Sequence, residues 1–397
     1  MAPRLVLDLT PLDTPSRPRG IGRYLRELAL GLSELPAREL SGIDVVALTG
    51  VDQLGRPRIS HDLTSFEGSP EMPSPTEADF YRWAWRHRFV AWNAARTLGA
   101  AAVHFGDPHA TPLFFALSGA KRIVTCHDIV PTRYPERYFG PKDGGAFVGK
   151  RIEKRRYFSA DRVVAISDAT RDDVVKLLGV PASRVVRVYN GVDIARWSAE
   201  PTVDAASVLA KHGLAGKRYV LYVGGSDWRK NAEGMMGALA HARAEGEELV
   251  LAWAGSLDEG HIAAIEEKAR AAGVADSLVR LGFVSDDELA VLYRRAIAHL
   301  FVSRCEGFGL TVVEAMAAGC PVITTSGGSL GEVAGDAALL VDPEVPRAIG
   351  AALLRLAREP ALGDDLRARG RARAPMFSRA TQAMAMAQVY RDVIASG

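Results

Sequence analysis

The sequence predicts an α/β protein built from two parallel-sheet domains. Three observations carry this. The chain has 397 residues, too many for one ordinary core. Short apolar runs of strand type alternate with helical spacings in both halves, the pattern of consecutive βαβ units. One such unit reads residue by residue: a strand from Ala296 to Val302, a glycine-broken loop, a helix from about Leu310 to Ala318, and a strand from Pro321 to Thr325. Gly319 stands where a helix C′ glycine belongs, and Pro321 follows it.

Composition narrows the class. The apolar share is that of a soluble globular protein, and no run reaches the ~18 apolar residues of a spanning helix. The start, Met1 to Asp8, enters a strand pattern directly, without the apolar run and cleavage site of a signal peptide. Cys126, Cys305 and Cys320 show neither metal nor disulfide spacing and are expected to be small buried residues. A cytoplasmic location is the expectation. Met1 to Ala195 holds 27 basic and 22 acidic residues, +5, which leaves −3 for the remainder of a chain of net charge +2. That balance is too weak for a nucleic-acid partner, so local clusters carry the argument.

In the first half, Arg4 to Leu9 reads as a strand. The loop Thr10 to Gly20 contains Arg17 and Arg19 and leads into a helix from Ile21 to Leu35, with apolar residues at Ile21, Tyr24, Leu25, Leu28 and Leu32. Gly20 and Gly22 open this helix, so its amides can face a ligand. A dinucleotide fingerprint would need a third glycine where Leu25 stands, directly after the strand. That argues against a dehydrogenase. Ile43 to Leu48 is a second strand, and Val51 to Thr76 a proline- and glycine-rich excursion without period. From Phe80 to Trp92, Arg82, Arg86 and Arg88 alternate with Trp83, Trp85, Phe89 and Trp92. This is either a helix at a membrane interface or a partly buried one whose arginines snorkel.

Ala102 to Phe105 and Arg122 to Cys126 are further strands. The second ends at His127 and Asp128, and strand carboxyl ends are where open α/β sheets place ligands. His127 can donate, accept or shuttle a proton near neutral pH, although a lone histidine is more often structural. Lys150 to Arg156 has the charge run of a solvated helix face. After the strand Arg162 to Ile166, Ser167 is an N-cap for a helix from Asp168 to Leu178. Val185 to Val188 is the next strand, followed by the turn Tyr189 to Asp193.

Trp197 to Gly216 bridges into the second half, where Tyr219 to Val223 is the first strand. Gly224 and Gly225 allow a tight turn, and Arg229 and Lys230 place two cations before the next helix. Paired cations with backbone donors can stabilise a departing nucleoside diphosphate; the plain alternative is a basic loop. Glu248 to Ala254 and Val279 to Leu281 are strands around a helix from His261 to Ala272. In the unit described first, Gly307 to Gly309 lets amides approach a ligand, and the helix start behind it suits a phosphate. Glu306 in the loop, and Glu314 placed in the first turn of the helix, can accept hydrogen bonds from sugar hydroxyls. The alternatives are a solvated loop residue and a helix-dipole carboxylate. Ala338 to Val341 is a last strand, and Phe377 to Ala395 is helical.

Glu306, seven residues, Glu314, then Ala315-Met316-Ala317-Ala318-Gly319-Cys320-Pro321-Val322 resembles the signature of the retaining family-4 glycosyltransferases. Arg229-Lys230-Asn231 after Val223-Gly224-Gly225 matches the same family, as do Gly282-Phe283-Val284 with Glu288-Leu289, His127-Asp128, Ala165-Ile166-Ser167-Asp168 and the turn at Asn190. The resemblance is strongest over Gly224 to Pro321 and absent from Val51 to Val90. It implies the GT-B arrangement of two Rossmann-like domains facing across a cleft. Residues 1–195 would bind the acceptor and 196–375 the nucleotide sugar, with 376–397 a helix crossing back to the first domain.

The resemblance also implies roles. His127, Arg229, Lys230 and Glu306 are the expected catalytic residues. Arg229 and Lys230 hold the donor diphosphate beside Gly225 and the run Gly307, Phe308, Gly309, Leu310, Thr311, with Gly20 and Gly22 also on the donor. The backbone of Phe283 and Val284 meets the base, Glu306 orients the sugar and Glu314 the ribose. Arg19, Asp128 and Ser167 lie on the acceptor side. No metal and no cofactor is used. The partners are a nucleotide diphosphate sugar and a hydroxyl acceptor. Arg19 to Tyr24 leans toward bacterial mannosyltransferases of polysaccharide assembly, hence GDP-mannose. Tyr81 to Trp92 and Lys150 to Arg156 suggest peripheral contact with an anionic membrane and a lipid-linked acceptor. Two other readings remain, a nucleotide-sugar epimerase of the same fold and a catalytically silent sugar-nucleotide binder.

Overall fold

A computed structural model describes residues 2–13, 20–40, 42–51, 56–66, 89–111, 119–139 and 145–396. Arg17, Arg19 and most of the Phe80 to Trp92 stretch lie outside these residues. The chain divides into two compact units, Met1–Gly191 with Phe377–Gly397, and Val192–Met376.

The strands of the first unit are β1 (Arg4–Asp8), β2 (Asp44–Val51), β3 (Pro57–Ser60), β4 (Ala102–Phe105), β5 (Lys121–Cys126), β6 (Arg162–Ala165) and β7 (Val185–Arg187). They lie in the order β3-β2-β1-β4-β5-β6-β7. All neighbours are parallel except β2 and β3. Leu5, Val6 and Leu7 are fully buried, so β1 is covered on both faces and reads as a continuous apolar run. Strand order turns between β1 and β4, which puts the start of α1 (Gly20–Glu34) and the end of β4 at one crevice. The edge strand β3 corrects the expectation of a periodless excursion after Val51. Pro57 at its start breaks the strand signature and suits an edge, where a missing N–H is tolerated.

Other helices of this unit are α2 over 89–98, α3 (Val130–Arg133), α4 (Pro135–Tyr138), α5 (Gly145–Phe158), α6 (Asp168–Leu178) and the last helix, α16 (Arg379–Ala395). α16 is tied to the unit by polar and steric contacts together. Arg379 pairs with Glu27 at 2.9 Å and Glu34 at 3.1 Å on α1. A Cβ on Gly31 of α1 would meet the Arg379 carbonyl oxygen at 2.7 Å, so only glycine permits this approach. Deeper in, the Tyr390 hydroxyl lies 2.8 Å from His104 Nδ1, and His104 Nε2 lies 2.8 Å from Thr125 Oγ1. Thr125 Oγ1 is in turn 2.8 Å from the Tyr24 hydroxyl.

The second unit has β8 (Tyr219–Val223), β9 (Val250–Ala254), β10 (Leu278–Gly282), β11 (His299–Phe301), β12 (Val322–Thr325) and β13 (Ala338–Val341) in the order β10-β9-β8-β11-β12-β13, every pair parallel. Its helices are α7 (Ile194–Ser198), α8 (Ala205–Lys211), α9 (Ala232–Ala244), α10 (Glu259–Ala271), α11 (Asp286–Arg295), α12 (Leu310–Ala318), α13 (Leu330–Ala334), α14 (Pro346–Arg358) and α15 (Pro360–Arg373). The order turns between β8 and β11, so the loops that follow these two strands flank the crevice where such sheets bind ligands. The strand expected from Ala296 to Val302 is shorter because Ala296 caps the C-terminus of α11. Cys126, Cys305 and Cys320 are buried and free. Among the described residues no helix is long and apolar enough to cross a membrane.

Each unit buries a neutral histidine. Burial pushes the His104 imidazole down to about 3 and that of His299 down to about 4. In the unfolded chain both take up a proton near their usual 6.5, so below that pH the unfolded state binds more protons and stability falls. The contribution is complete above pH 6.5 and is lost as pH drops toward 4 and 3. Thermal unfolding followed at pH 7 and pH 5 is therefore expected to show a lower midpoint at pH 5. A His104→Gln variant should begin less stable at pH 7, by roughly 1–3 kcal/mol for its disturbed hydrogen bonds, and lose less between the two values. Equal losses in parent and variant would count against His104 as a source of the dependence.

Candidate active site

The site is built at the carboxyl ends of β8 and β11. After β8 comes the Gly224-Gly225 turn, whose Gly225 carbonyl accepts a 2.7 Å hydrogen bond from the Tyr222 hydroxyl. A single 3₁₀ turn, Trp228–Lys230, then presents Arg229 and Lys230. Asn231 ends the turn with φ 62°, a left-handed conformation that asparagine tolerates better than most residues. Its buried side chain accepts from the Gly234 N–H, capping α9, and donates to the carbonyls of Val302 (3.2 Å) and Pro343 (2.8 Å). Asn231 thus anchors the cation-bearing turn to the segment after β11.

Lys230 Nζ lies 2.6 Å from Glu306 Oε1, and Arg229 Nη1 lies 3.3 Å from Glu306 Oε2. Lys230 also stands 5.0 Å over the Phe301 ring. Glu306 is only 8% exposed. Burial raises its carboxyl, but Lys230 and Arg229 outweigh that and hold it below its usual value. It is therefore ionised at neutral pH, as a carboxylate clamped by two cations.

The backbone of Glu306 is held equally firmly. Its carbonyl accepts from both the N–H and the hydroxyl of Ser329, each at 3.1 Å. Gly328 pairs with it as an isolated parallel bridge. Gly328 has φ 63°, and a Cβ there would sit 2.3 Å from the Glu306 carbonyl oxygen. The Gly327-Gly328-Ser329 run carries no chemistry of its own in the sequence; its role appears only with β12 beside β11.

Beyond Glu306, Gly307 and Phe308 are buried, and Gly309 precedes α12 in a left-handed conformation. The first N–H groups of α12, at Leu310 and Thr311, have no partner within the helix and carry its positive end. The Thr311 hydroxyl is 3.2 Å from His299 Nε2. His299 Nδ1 donates to the Leu221 carbonyl, so neutral His299 accepts from Thr311 through Nε2. What Thr311 can donate to a ligand is its backbone N–H. Glu314 is 1% exposed and stands in the second turn of α12, not in the first as the sequence spacing suggested; the helix begins at Leu310. Phe283 is 78% exposed just after β10, with Val284 buried behind it.

In the first unit, His127 Nε2 donates to the Gly106 carbonyl at 2.7 Å, and its ring meets Tyr24 edge-on at 4.9 Å. Burial pushes its pKa down, so it is neutral at pH 7 with Nδ1 as an acceptor. Proton shuttling near neutral pH, the property first attached to it, is not what this environment favours. The Asp128 carboxylate accepts from the Val130 N–H at the start of α3. Ser167 is fully buried, accepting from the Thr170 N–H and donating to its hydroxyl. Of the two readings held open for Ser167, the helix cap is the one built. Gly20 is exposed and Gly22 buried in the first turn of α1. Among the described residues no group of three or more His, Cys, Asp or Glu is arranged to hold a metal ion.

Comparison with known proteins identifies the family and the fold. The profile described as "Glycosyltransferase Family 4" matches residues 18–196, and "Glycosyl transferases group 1" matches residues 207–373. O-antigen chain mannosyltransferase B of Escherichia coli is 31% identical over 262 residues, 65% of this chain and 67% of that one. Serotype-specific mannosyltransferase WbdA of Escherichia coli is 25% identical over 96% of this chain, which spans only 47% of that relative. The solved sucrose-phosphate synthase of Thermosynechococcus elongatus covers the whole chain at a TM-score of 0.74 and 21% identity, a likeness of fold. Fold and profiles together define a glycosyltransferase with two parallel-sheet units of the GT-B kind. The chain belongs to family 4 of the glycosyltransferases.

Because Gly328 sets where the Glu306 backbone lies, Gly328→Ala should move the carboxylate without removing it. Assayed well below its own unfolding midpoint, this variant is expected to lose at least about tenfold in kcat, equivalent to ~1.4 kcal/mol of transition-state stabilisation. Glucosyl, mannosyl or other donor turnover equal to the parent's would show that the clamp does not position Glu306.

Proposed function

We propose that the protein is a retaining hexosyltransferase that moves mannose from GDP-mannose to a hydroxyl of a lipid-linked glycan. The observation that carries the catalytic part is the buried Glu306 carboxylate held between Lys230 and Arg229 beside the positive end of α12. Two cations and free helix amides in one place suit a diphosphate leaving group. When the diphosphate arrives, Lys230 and Arg229 turn to its oxygens, and Glu306 is left to orient the sugar hydroxyls. Glu314 takes the ribose, and the exposed backbone around Phe283 and Val284 takes the base. Within the first unit, His127 accepts from a sugar hydroxyl through Nδ1, with Gly20 and Gly22 serving the donor and Arg19 and Asp128 the acceptor.

Transfer follows a front-face course. The bond from C1 to the diphosphate oxygen breaks, the bond from C1 to the acceptor oxygen forms on the same face, and the acceptor proton passes to the departing phosphate. No covalent nucleophile is assigned. Arg229 and Lys230 supply the counter-charge that a divalent metal provides elsewhere. The mannose assignment rests on the two Escherichia coli mannosyltransferases among the relatives. The membrane assignment rests on α5, where Phe147, Ile152 and Phe158 are exposed beside Lys150, Arg151, Lys154 and Arg155. Anionic lipid attracts each such cation by ~1 kcal/mol.

Lys230→Ala and Glu306→Ala are each expected to lower transfer by roughly 10²–10³-fold with the fold intact, as loss of a charge-stabilising donor does. Near-parental turnover in both would remove the site assignment. Transfer should persist in excess chelator; loss restored by Mg²⁺ or Mn²⁺ would overturn the metal-independent course. Co-sedimentation with phosphatidylglycerol vesicles at low salt, released at high salt, is expected. Equal and negligible binding to phosphatidylglycerol and phosphatidylcholine vesicles would leave the membrane assignment without support, while the transferase chemistry would stand.

A further inference from the structure

We propose a second anion site in the Val192–Met376 unit, at the opposite end of α12 from Glu306, that takes a small phosphate monoester. A cavity of about 390 Å³ opens there between the ends of α11 and α12, one face of α15 and the link from α7 to α8. That volume lies within the range of small-ligand pockets. Four arginines line it: Arg294, Arg295, Arg367 and Arg371.

Two of the four are already neutralised. Arg294 pairs with Glu200 at 2.9 Å and donates to the carbonyls of Ser198 and Ala199, which fixes the link. Arg367 pairs with Asp364 at 2.9 Å. Arg295 and Arg371 make no side-chain hydrogen bond or ion pair with any described residue. Two unmatched guanidiniums therefore face one concavity.

A lone arginine in the last turn of a helix needs no ligand, because it complements the helix dipole. Two from different helices around one cavity leave +2 uncompensated. A phosphate monoester carries about −1.5 to −2 at pH 7 and three acceptor oxygens, and a guanidinium fork matches those oxygens in pairs. Pro201, Val203 and Val291 form an apolar side to the cavity, on which the body of the ester can rest. Gly319, the C-terminal cap of α12, lines it too. α12 has nine residues, so its two ends lie about 13 Å apart. The cavity is thus a separate site and not an extension of the one at Glu306. The phosphate can belong to a soluble ester or to a lipid headgroup.

Titration of the whole chain with inorganic phosphate, followed by ³¹P NMR, tests the proposal. The parent is expected to bind at two sites and Lys230→Ala at one. Adding Arg295→Gln and Arg371→Gln to Lys230→Ala should weaken the remaining site at least tenfold. Arg371→Lys, which keeps the charge and loses the fork, should weaken it less than Arg371→Gln. Arg295 and Arg371 are exposed and Lys230 is largely buried, so unfolding midpoints check that each variant keeps the fold. Phosphate binding to Lys230→Ala that ignores both arginine substitutions would overturn the site, as would no binding to Lys230→Ala at all. If parent and Lys230→Ala bind alike while the arginine variants lose affinity, this site stands and the donor assignment of Lys230 fails. A headgroup source is marked by weakened binding of Arg295→Gln/Arg371→Gln to phosphatidate vesicles, whose headgroup is a phosphate monoester; a soluble ester leaves that binding unchanged.

Discussion

A carboxylate that is 8% exposed and touches two cations is the interaction around which the Val192–Met376 unit is arranged. Burying Glu306 alone would be costly, and burying Lys230 beside it equally so; together they are tolerable only if the geometry is held. The surrounding structure supplies that restraint. Asn231 accepts a strained backbone and binds three backbone groups from three segments. Arg304 donates to the Trp228 carbonyl while its own N–H bonds the Arg229 carbonyl at 2.7 Å, so the 3₁₀ turn is gripped from the far strand. Ser329 and Gly328 grip Glu306 from the next. Three consecutive strand ends, of β8, β11 and β12, are thus tied by polar contacts at the point where the sheet order turns.

The carboxylate also settles the charge of the two cations it touches. Two cations with no counter-ion would repel each other and lose hydration; Glu306 supplies that counter-charge. On the reading proposed above, a diphosphate, with more charge and more acceptors than one carboxylate, would compete for the same Nζ and guanidinium. That exchange would leave Glu306 ionised and able to accept hydrogen bonds from the sugar hydroxyls of the proposed donor. The other unit solves a related problem differently. Four of its buried polar groups, His104, Thr125, Tyr24 and Tyr390, pair with one another through neutral hydrogen bonds, which bind α16 to β4, β5 and α1 beside the Arg379–Glu27 ion pair.

Much of this was legible in the sequence, for identifiable reasons. The β11–α12–β12 unit shows because glycine and proline punctuate it: Gly309 before the helix, Gly319 after, Pro321 before the strand. Ser167 shows as a cap because capping is local. What stayed hidden was tertiary. β3 is a four-residue edge strand starting at a proline, and neither length nor composition marks it. The start of α12 at Leu310 is as expected, and Glu314, its fifth residue, falls in the second turn by the 3.6-residue period. The His104 network joins residues up to 286 positions apart, and no spacing rule reaches that far. His127 was found by its place after β5, but its tautomer and neutral state follow from the Gly106 carbonyl and from burial.

Charge illustrates the same limit most clearly. From Arg196 onward the chain is net acidic, yet both places proposed to hold anions in that unit are basic. Each is made by converging elements: Arg229 and Lys230 come from the turn after β8, while Arg295 and Arg371 end helices whose own sequences look like ordinary dipole complements. α12 lies between them, with its positive end toward Glu306 and its negative end toward Gly319. At the first end the helix field adds to the attraction for phosphate; at the second it opposes it, so side-chain guanidiniums must supply all of the binding. That asymmetry fits the residues present: on the proposed readings, a guanidinium–ammonium pair is joined by backbone amides at the first end, while at the second Arg295 and Arg371, the two not paired with a carboxylate, act without them.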